Sequence, residues 1–292
     1  MNSADRNALL GTLGVILLGL AFAWAGGYGG ASVGGVSVFA ICVAAAFAIQ
    51  WLVFVPSYLG QTEKYFDLTG GVTYTLTAFL ALILSGRFDA RSVILFAMVF
   101  LWSARLAMFL FRRVRRAGKD GRFDDLKTSF VRFFGAWTLQ GLWVTFTSAA
   151  AWAAVTAGAA RSWDLWMLVG VMVWLLGFGI EAIADRQKKR FSEDPGNRGL
   201  FINTGLWAYS RHPNYLGEII LWVGVALVAL PVLDSWQLLT LSSPVFVAIL
   251  LIRVSGIPLL EKRADRKWGG SKDYEDYKKN TPVLLFRLGG SK

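Results

Sequence analysis

The densest set of chemically capable side chains lies around residue 212. Tyr209-Ser210-Arg211-His212-Pro213-Asn214-Tyr215-Leu216-Gly217-Glu218 offers phenols, a cation, an imidazole, an amide and a carboxylate within ten residues. Pro213 suits the first turn of a helix, where its missing N–H costs nothing. Arg211, Asn214, Tyr215 and Glu218 then fall at i, i+3, i+4 and i+7, which makes one polar stripe. A helix N-terminus beside Arg211 and His212 is an anion site. Such a stripe is suited to hold a polar ligand inside a helix bundle; a purely structural stripe is the alternative.

Other ionisable residues sit inside or against apolar stretches, where they are functional candidates by default. Glu181 and Asp185 are four residues apart and share a helix face. Arg186, Lys188, Lys189 and Arg190 follow, so the pair reads either as a site or as the salt-bridged end of a helix. Arg105 lies mid-stretch and requires a carboxylate or phosphate partner. Arg253 closes a later stretch, and Glu261 follows just past Pro258. Tyr58-Leu59-Gly60-Gln61-Thr62-Glu63-Lys64-Tyr65-Phe66-Asp67 gathers acids, phenols and an amide at a helix entrance, or is an ordinary solvated loop.

The elements that must position these groups are set by composition. Of 292 residues, 55% are hydrophobic and 17% charged, yet the net charge is +11, which points to an integral membrane protein. Eight stretches approach the roughly 20 apolar residues of a span: 8–25, 36–58, 68–85, 91–111, 130–157, 164–185, 213–231 and 236–257. No ten-residue alternation suggests a β-barrel. The reading is an all-α, polytopic membrane helix bundle of seven or eight spans. Of 30 Lys and Arg, 22 fall in 113–130, 186–211 and 253–292. With eight spans these loops share one side, the cytoplasmic one, together with both termini. A rival reading takes Ala23-Trp24-Ala25 as a signal-peptide cleavage site, which leaves seven spans.

Orientation and anionic headgroups account for the basic charge, so nucleic acid is not implied. A single Cys (Cys42) excludes an internal disulfide framework and cysteine-cluster metal sites. A single His excludes HExxH proteases, bis-histidine haem proteins and histidine-box di-iron enzymes, so no metal is expected. Gly30-Ala31-Ser32-Val33-Gly34 matches G-x-S-x-G by letter but has neither a preceding strand nor a His on its side. Gly26–Gly30 reads as a flexible connection rather than a dinucleotide fingerprint.

The Ser-Arg-His-Pro-Asn-Tyr-Leu-Gly-Glu run resembles the signature of the steroid 5α-reductase superfamily and its bacterial relatives. Membrane sterol reductases and isoprenylcysteine carboxyl methyltransferases carry a similar R-H-P-x-Y element. Leu139-Gln140-Gly141 resembles a reductase Leu-Gln-Gly, and Gly177-Phe178-Gly179-Ile180 followed by Asp185 resembles Gly-Met-Gly-Ile followed by Asp. The resemblance covers roughly 130–292. It implies a single membrane domain, with helices of 1–129 on the substrate side and 130–292 on the cofactor side.

The implied cofactor is NADPH, bound by Asp185, Asn214, Glu218 and Arg253, with Arg105 facing it and Tyr58 near the nicotinamide. Glu181, Tyr209, Arg211, His212 and Tyr215 join that set from the local polar residues. The family's Gln-Glu pair, which polarises a steroid carbonyl, has Glu63, Tyr65 and Asp67 as its nearest candidates. Trp102 stands in place of a partner tyrosine. Glu63 would share a face with Asp67 if the third helix extended that far.

The expected activity is NADPH-dependent reduction of a conjugated C=C bond in a lipophilic, steroid-like enone, in a bacterial inner membrane with the cofactor site facing the cytoplasm. Arg112, Arg113, Arg186, Lys188, Lys189, Arg190 and Arg211 would meet a 2′-phosphate. An S-adenosylmethionine-dependent methyltransferase is the second reading. A lipid-binding or transport protein is the third, weakened by the lack of an internal repeat.

Overall fold

In hydrocarbon, a peptide group has no partner but another peptide group, so each apolar stretch closes into a helix. A computed structural model describes residues 3–117, 121, 123–159, 161, 163–254 and 256–287, with the backbone alone for 112–117. Its helices are α1 (Ser3–Gly27), α2 (Val38–Leu59), α3 (Phe66–Ser85), α4 (Ala90–Ala117), α5 (Phe130–Thr156), α6 (Leu165–Glu193), α7 (Pro213–Ala229), α8 (Ser243–Ile249), α9 (Ile257–Trp268) and α10 (Lys272–Asn280). Among the described residues, seven helical stretches are long and apolar enough to cross a membrane, and the protein is an integral membrane helix bundle. The seven leave out α5, whose 27 residues are long enough but include Arg132, Thr138, Gln140, Thr145, Thr147, Ser148 and Thr156.

The chain divides into two compact units, Met1–Leu168 with Val225–Ser243, and Val169–Gly224 with Pro244–Lys292. In the first, α5 packs against α1, α2, α3 and α4. It is buried throughout Thr147–Thr156, as a helix surrounded by others must be. The sorting is that of a membrane protein. On α1, Leu10, Leu13, Leu17, Leu18 and Leu20 point outward, while Gly19, Ala23 and Ala25 are buried. Small residues let helices approach, and large apolar ones face lipid.

Polar groups inside this unit are held by neighbours. Thr69, Thr73 and Thr77 each donate at 2.7 Å to the carbonyl four residues earlier. Thr73 Oγ1 also accepts from Gln50 Nε2 at 2.8 Å. Buried Arg91 donates from Nη2 to Asp164 at 2.7 Å and from Nη1 to the Val228 carbonyl, which ties the start of α4 to the approach of α6 and the end of α7. Gly26–Gly30 spans the end of α1 and the turn that follows it. Gly26 and Gly27 close α1 against Phe39 and Ser37, and the amide of Ala31 donates to the Thr156 carbonyl at 2.7 Å.

In the second unit, α6 and α7 run antiparallel at backbone contact. A Cβ on Gly217 would stand 2.6 Å from both the Glu181 nitrogen and the Gly177 oxygen; one on Gly224 would stand 2.7 Å from the Gly170 oxygen. Gly177 therefore serves helix packing, whereas Gly179 has nothing within 4 Å of its missing Cβ. Gly217→Val is expected to lower stability by about 1–3 kcal/mol or more, because rigid backbone must move. Gly179→Ala should hold or raise it, since alanine is the better helix former. Thermal unfolding midpoints in detergent compare the two.

Candidate functional site

The close crossing of α6 and α7 places the acids of one helix against the start of the other. Glu181 and Asp185 are buried on α6, and Glu218 is buried on α7. Asn214, on the first turn of α7, donates from Nδ2 to Asp185 Oδ1 at 3.3 Å. A carboxylate can only accept, so the amide nitrogen faces Asp185 and the amide oxygen faces away. That Oδ1 is buried without a hydrogen-bond partner in the protein.

Arg211 departs from the expected stripe. The helix starts at Pro213, and Arg211 belongs to an extended segment paired with the chain after α10. Its amide donates to the Pro282 carbonyl at 2.9 Å, and the Arg287 amide donates to the Tyr209 carbonyl at 3.0 Å. Between them, Ser210 Oγ donates to the Leu284 carbonyl at 2.8 Å. This pairing turns the Arg211 side chain toward α9. There Glu261 Oε2 accepts from Arg211 Nη1 at 2.6 Å, and Glu261 Oε1 meets His212 Nε2 at 2.7 Å. The anion expected beside Arg211 and His212 is thus the protein's own carboxylate.

His212 is 5% exposed, and its ring lies nearly parallel to that of Tyr215 at 5.7 Å. Burial lowers its pKa below the ordinary imidazole value; Lys188 and Arg211 add to that and Glu261 opposes it. Its Nδ1 is buried without a partner, as is Arg211 Nε. Three orphaned polar atoms within four residues are a sharp departure from the rule that buried polar groups are satisfied.

Around this segment the chain between α6 and α7, together with α10, forms a polar and aromatic cap. Trp207 Nε1 donates to the Ala184 carbonyl at 3.1 Å, the Trp207 carbonyl accepts from Tyr277 Oη at 2.7 Å, and the Leu206 amide donates to Gln187 Oε1 at 3.0 Å. Lys188 Nζ sits 4.6 Å over the Trp207 ring.

The DUF1295 family profile, described as protein of unknown function, matches residues 53–281. The chain belongs to the DUF1295 family. The match takes in every candidate residue above together with Glu261 and Tyr277. A Schizosaccharomyces pombe protein described as uncharacterized protein C594.04c is 24% identical over 203 residues, which is 60% of this chain and 58% of that one. The chain thus spans little more than half the length of that relative. No solved structure matches it.

Within this DUF1295 chain, Glu181, Asp185, Arg211, His212, Asn214, Tyr215 and Glu218 all lie in the second unit. Tyr209 is beside them but exposed, with its carbonyl in the extended pairing. Arg253 is exposed in the π-type turn Leu250–Val254 that follows α8. The other candidates lie in the first unit. Tyr58 packs on Phe54 and Phe130, with ring centres 5.6 and 5.2 Å away, and Arg105 is half-buried on α4.

The third helix starts at Phe66, so Glu63 shares no helix face with Asp67. Buried Glu63 instead accepts from Lys127 Nζ at 2.5 Å. Tyr65 is 51% exposed, and Asp67 is half-buried in the first turn of α3. Trp102 is buried against Tyr74 at 5.0 Å, edge to face. The side chains of Arg112 and Arg113 lie outside the described residues, as do Lys119 and Arg122.

Glu261 enters the sequence reading only as the acid just past Pro258, with no place in the site. Its local signal is an acid that opens a mostly basic stretch, Lys262, Arg263, Arg266 and Lys267, in which Asp265 is the other acid.

Proposed function

We propose that this protein is an NADPH-dependent membrane reductase that saturates a conjugated C=C bond in a lipophilic enone of the 3-oxo-Δ4-steroid kind. The observation that carries the reading is the set of buried, unpartnered polar atoms at Arg211 Nε, His212 Nδ1 and Asn214 Oδ1. One donor and two acceptors fit a dinucleotide, whose phosphates accept and whose ribose hydroxyls and carboxamide donate. Membership of DUF1295, a family of the steroid 5α-reductase-like membrane group, supports it, as does the Asn214–Glu218 resemblance.

In this reading, Asp185 orients the Asn214 amide, and Glu261 holds Arg211 and His212. Exposed Arg186, Lys188, Lys189 and Arg190 meet the 2′-phosphate from the cytoplasmic side. NADPH, when bound, supplies the hydride, and the protein supplies position and polarity. The substrate's carbonyl oxygen gathers negative charge during reduction, so a positioned O–H donor beside it lowers the barrier. The resemblance gives that role to Glu63, Tyr65 and Asp67, all in the first unit. A carboxyl donates there only if its surroundings keep it protonated.

Purified protein in detergent should be stabilised by NADPH clearly more than by NADH, and should oxidise NADPH in step with loss of a 3-oxo-Δ4-steroid. Equal stabilisation by the two dinucleotides would remove the 2′-phosphate assignment. Stabilisation by S-adenosylmethionine and not by NADPH would turn the reading to methyl transfer, the chemistry of the other branch with the R-H-P-x-Y element.

A further inference from the structure

The role of Glu261 goes further than holding a charge. Its two oxygens divide between two residues, Oε2 accepting from Arg211 Nη1 at 2.6 Å and Oε1 facing His212 Nε2 at 2.7 Å. Glu261 Oε2 is ion-paired with the Arg211 guanidinium, and a carboxylate oxygen only accepts. The proton of a neutral imidazole must then sit on Nε2, so Nδ1 carries a bare lone pair. The ring has little freedom to turn. It lies along Tyr215, its backbone amide donates to Ser210 Oγ at 3.2 Å, and its carbonyl accepts from the Leu216 amide at 3.2 Å. Nδ1 is buried and nothing in the protein donates to it.

We propose that Glu261 is a positioning residue: it fixes His212 as the Nε2–H tautomer and thereby presents Nδ1 as the acceptor for a ligand hydroxyl or N–H. This rests on the cofactor reading above, in which the ribose hydroxyls and the carboxamide are such donors.

A pH dependence follows. The groups that face His212 are Glu261 from α9, Lys188 from α6 and its neighbour Arg211. The last two, with burial, favour the neutral ring. A pKa depressed by folding means that the unfolded chain binds the proton more readily. The stability contribution of His212 is therefore full above the ordinary imidazole range near 6.5 and is lost as pH falls through the lower folded value. Protonation also converts Nδ1 from acceptor to donor, so ligand affinity should hold down to the lowered folded value and fall below it.

The chain contains one histidine, so tag-free, full-length protein labelled with ¹⁵N-histidine in detergent micelles reports His212 alone. The expected spectrum above neutral pH is that of the Nε2–H tautomer. In Glu261→Gln the tautomers should mix, and NADPH should bind about tenfold more weakly or worse, the usual consequence of a buried polar partner left wrong. Glu261→Asp, which keeps the charge on a shorter stem, should fall between and guards against a simple folding defect. An Nδ1–H tautomer in the wild type overturns the proposal. So does unchanged NADPH affinity and pH profile in variants whose tautomer has shifted. A wild-type protein with the Nε2–H tautomer that gives no response to NADPH defeats the cofactor reading and leaves the tautomer assignment standing.

Discussion

Asn214→Ala is expected to weaken NADPH binding by about tenfold or more while the protein still elutes as a folded bundle. The substitution removes an amide whose nitrogen is held by Asp185 and whose oxygen is buried without a protein partner. A ligand donor that met that oxygen would lose it inside a site water enters poorly, a loss typically of ~1–3 kcal/mol. Folding should suffer less, because the 3.3 Å bond to Asp185 is long and the first turn of a helix tolerates alanine. Isothermal titration in detergent, with a parallel thermal scan, separates the two effects. Normal binding would make the orphaned oxygen structural and move the site elsewhere. Glu218→Ala should behave in the same way.

A larger loss of stability is expected from Asp164→Ala. Arg91 has a side chain only 3% exposed, and Asp164 supplies its carboxylate at 2.7 Å. Removing one partner of a buried ion pair costs about 3–5 kcal/mol, because the remaining charge stays out of water. The Val228 carbonyl keeps its bond to the guanidinium, and a carbonyl carries no compensating charge. The unfolding midpoint in detergent should fall by many degrees. The double variant Arg91→Met, Asp164→Ala should regain much of that loss, since it removes the stranded charge as well. If the single variant unfolds like the wild type, the pair is well hydrated and contributes little.

The division between what was legible in the sequence and what was not follows the range of the interactions. Apolar runs of span length determined the helices, because in lipid a backbone can satisfy itself in no other simple way. Helical spacing alone put Glu181 with Asp185, and Asn214 with Glu218, on shared faces, since three- and four-residue periodicity is a local property. Even the membership of α5 was readable from length, despite the polar residues that keep it out of the seven apolar stretches.

Tertiary structure decided which faces meet. Arg211 leaves the stripe because its amide finds Pro282, some seventy residues on, before the helix begins. Glu261 reaches Arg211 and His212 across about fifty residues. Glu63 is taken by Lys127 across 64 residues. Gly177 and Gly217 read as motif letters, yet their lack of a side chain is what lets two backbones touch. The tautomer of the one histidine, and with it the polarity of the site, depends on a carboxylate delivered by a helix whose own sequence carries only a faint sign of the task. Periodicity specifies a surface along one helix; which surface it meets is settled by packing, and packing is not local.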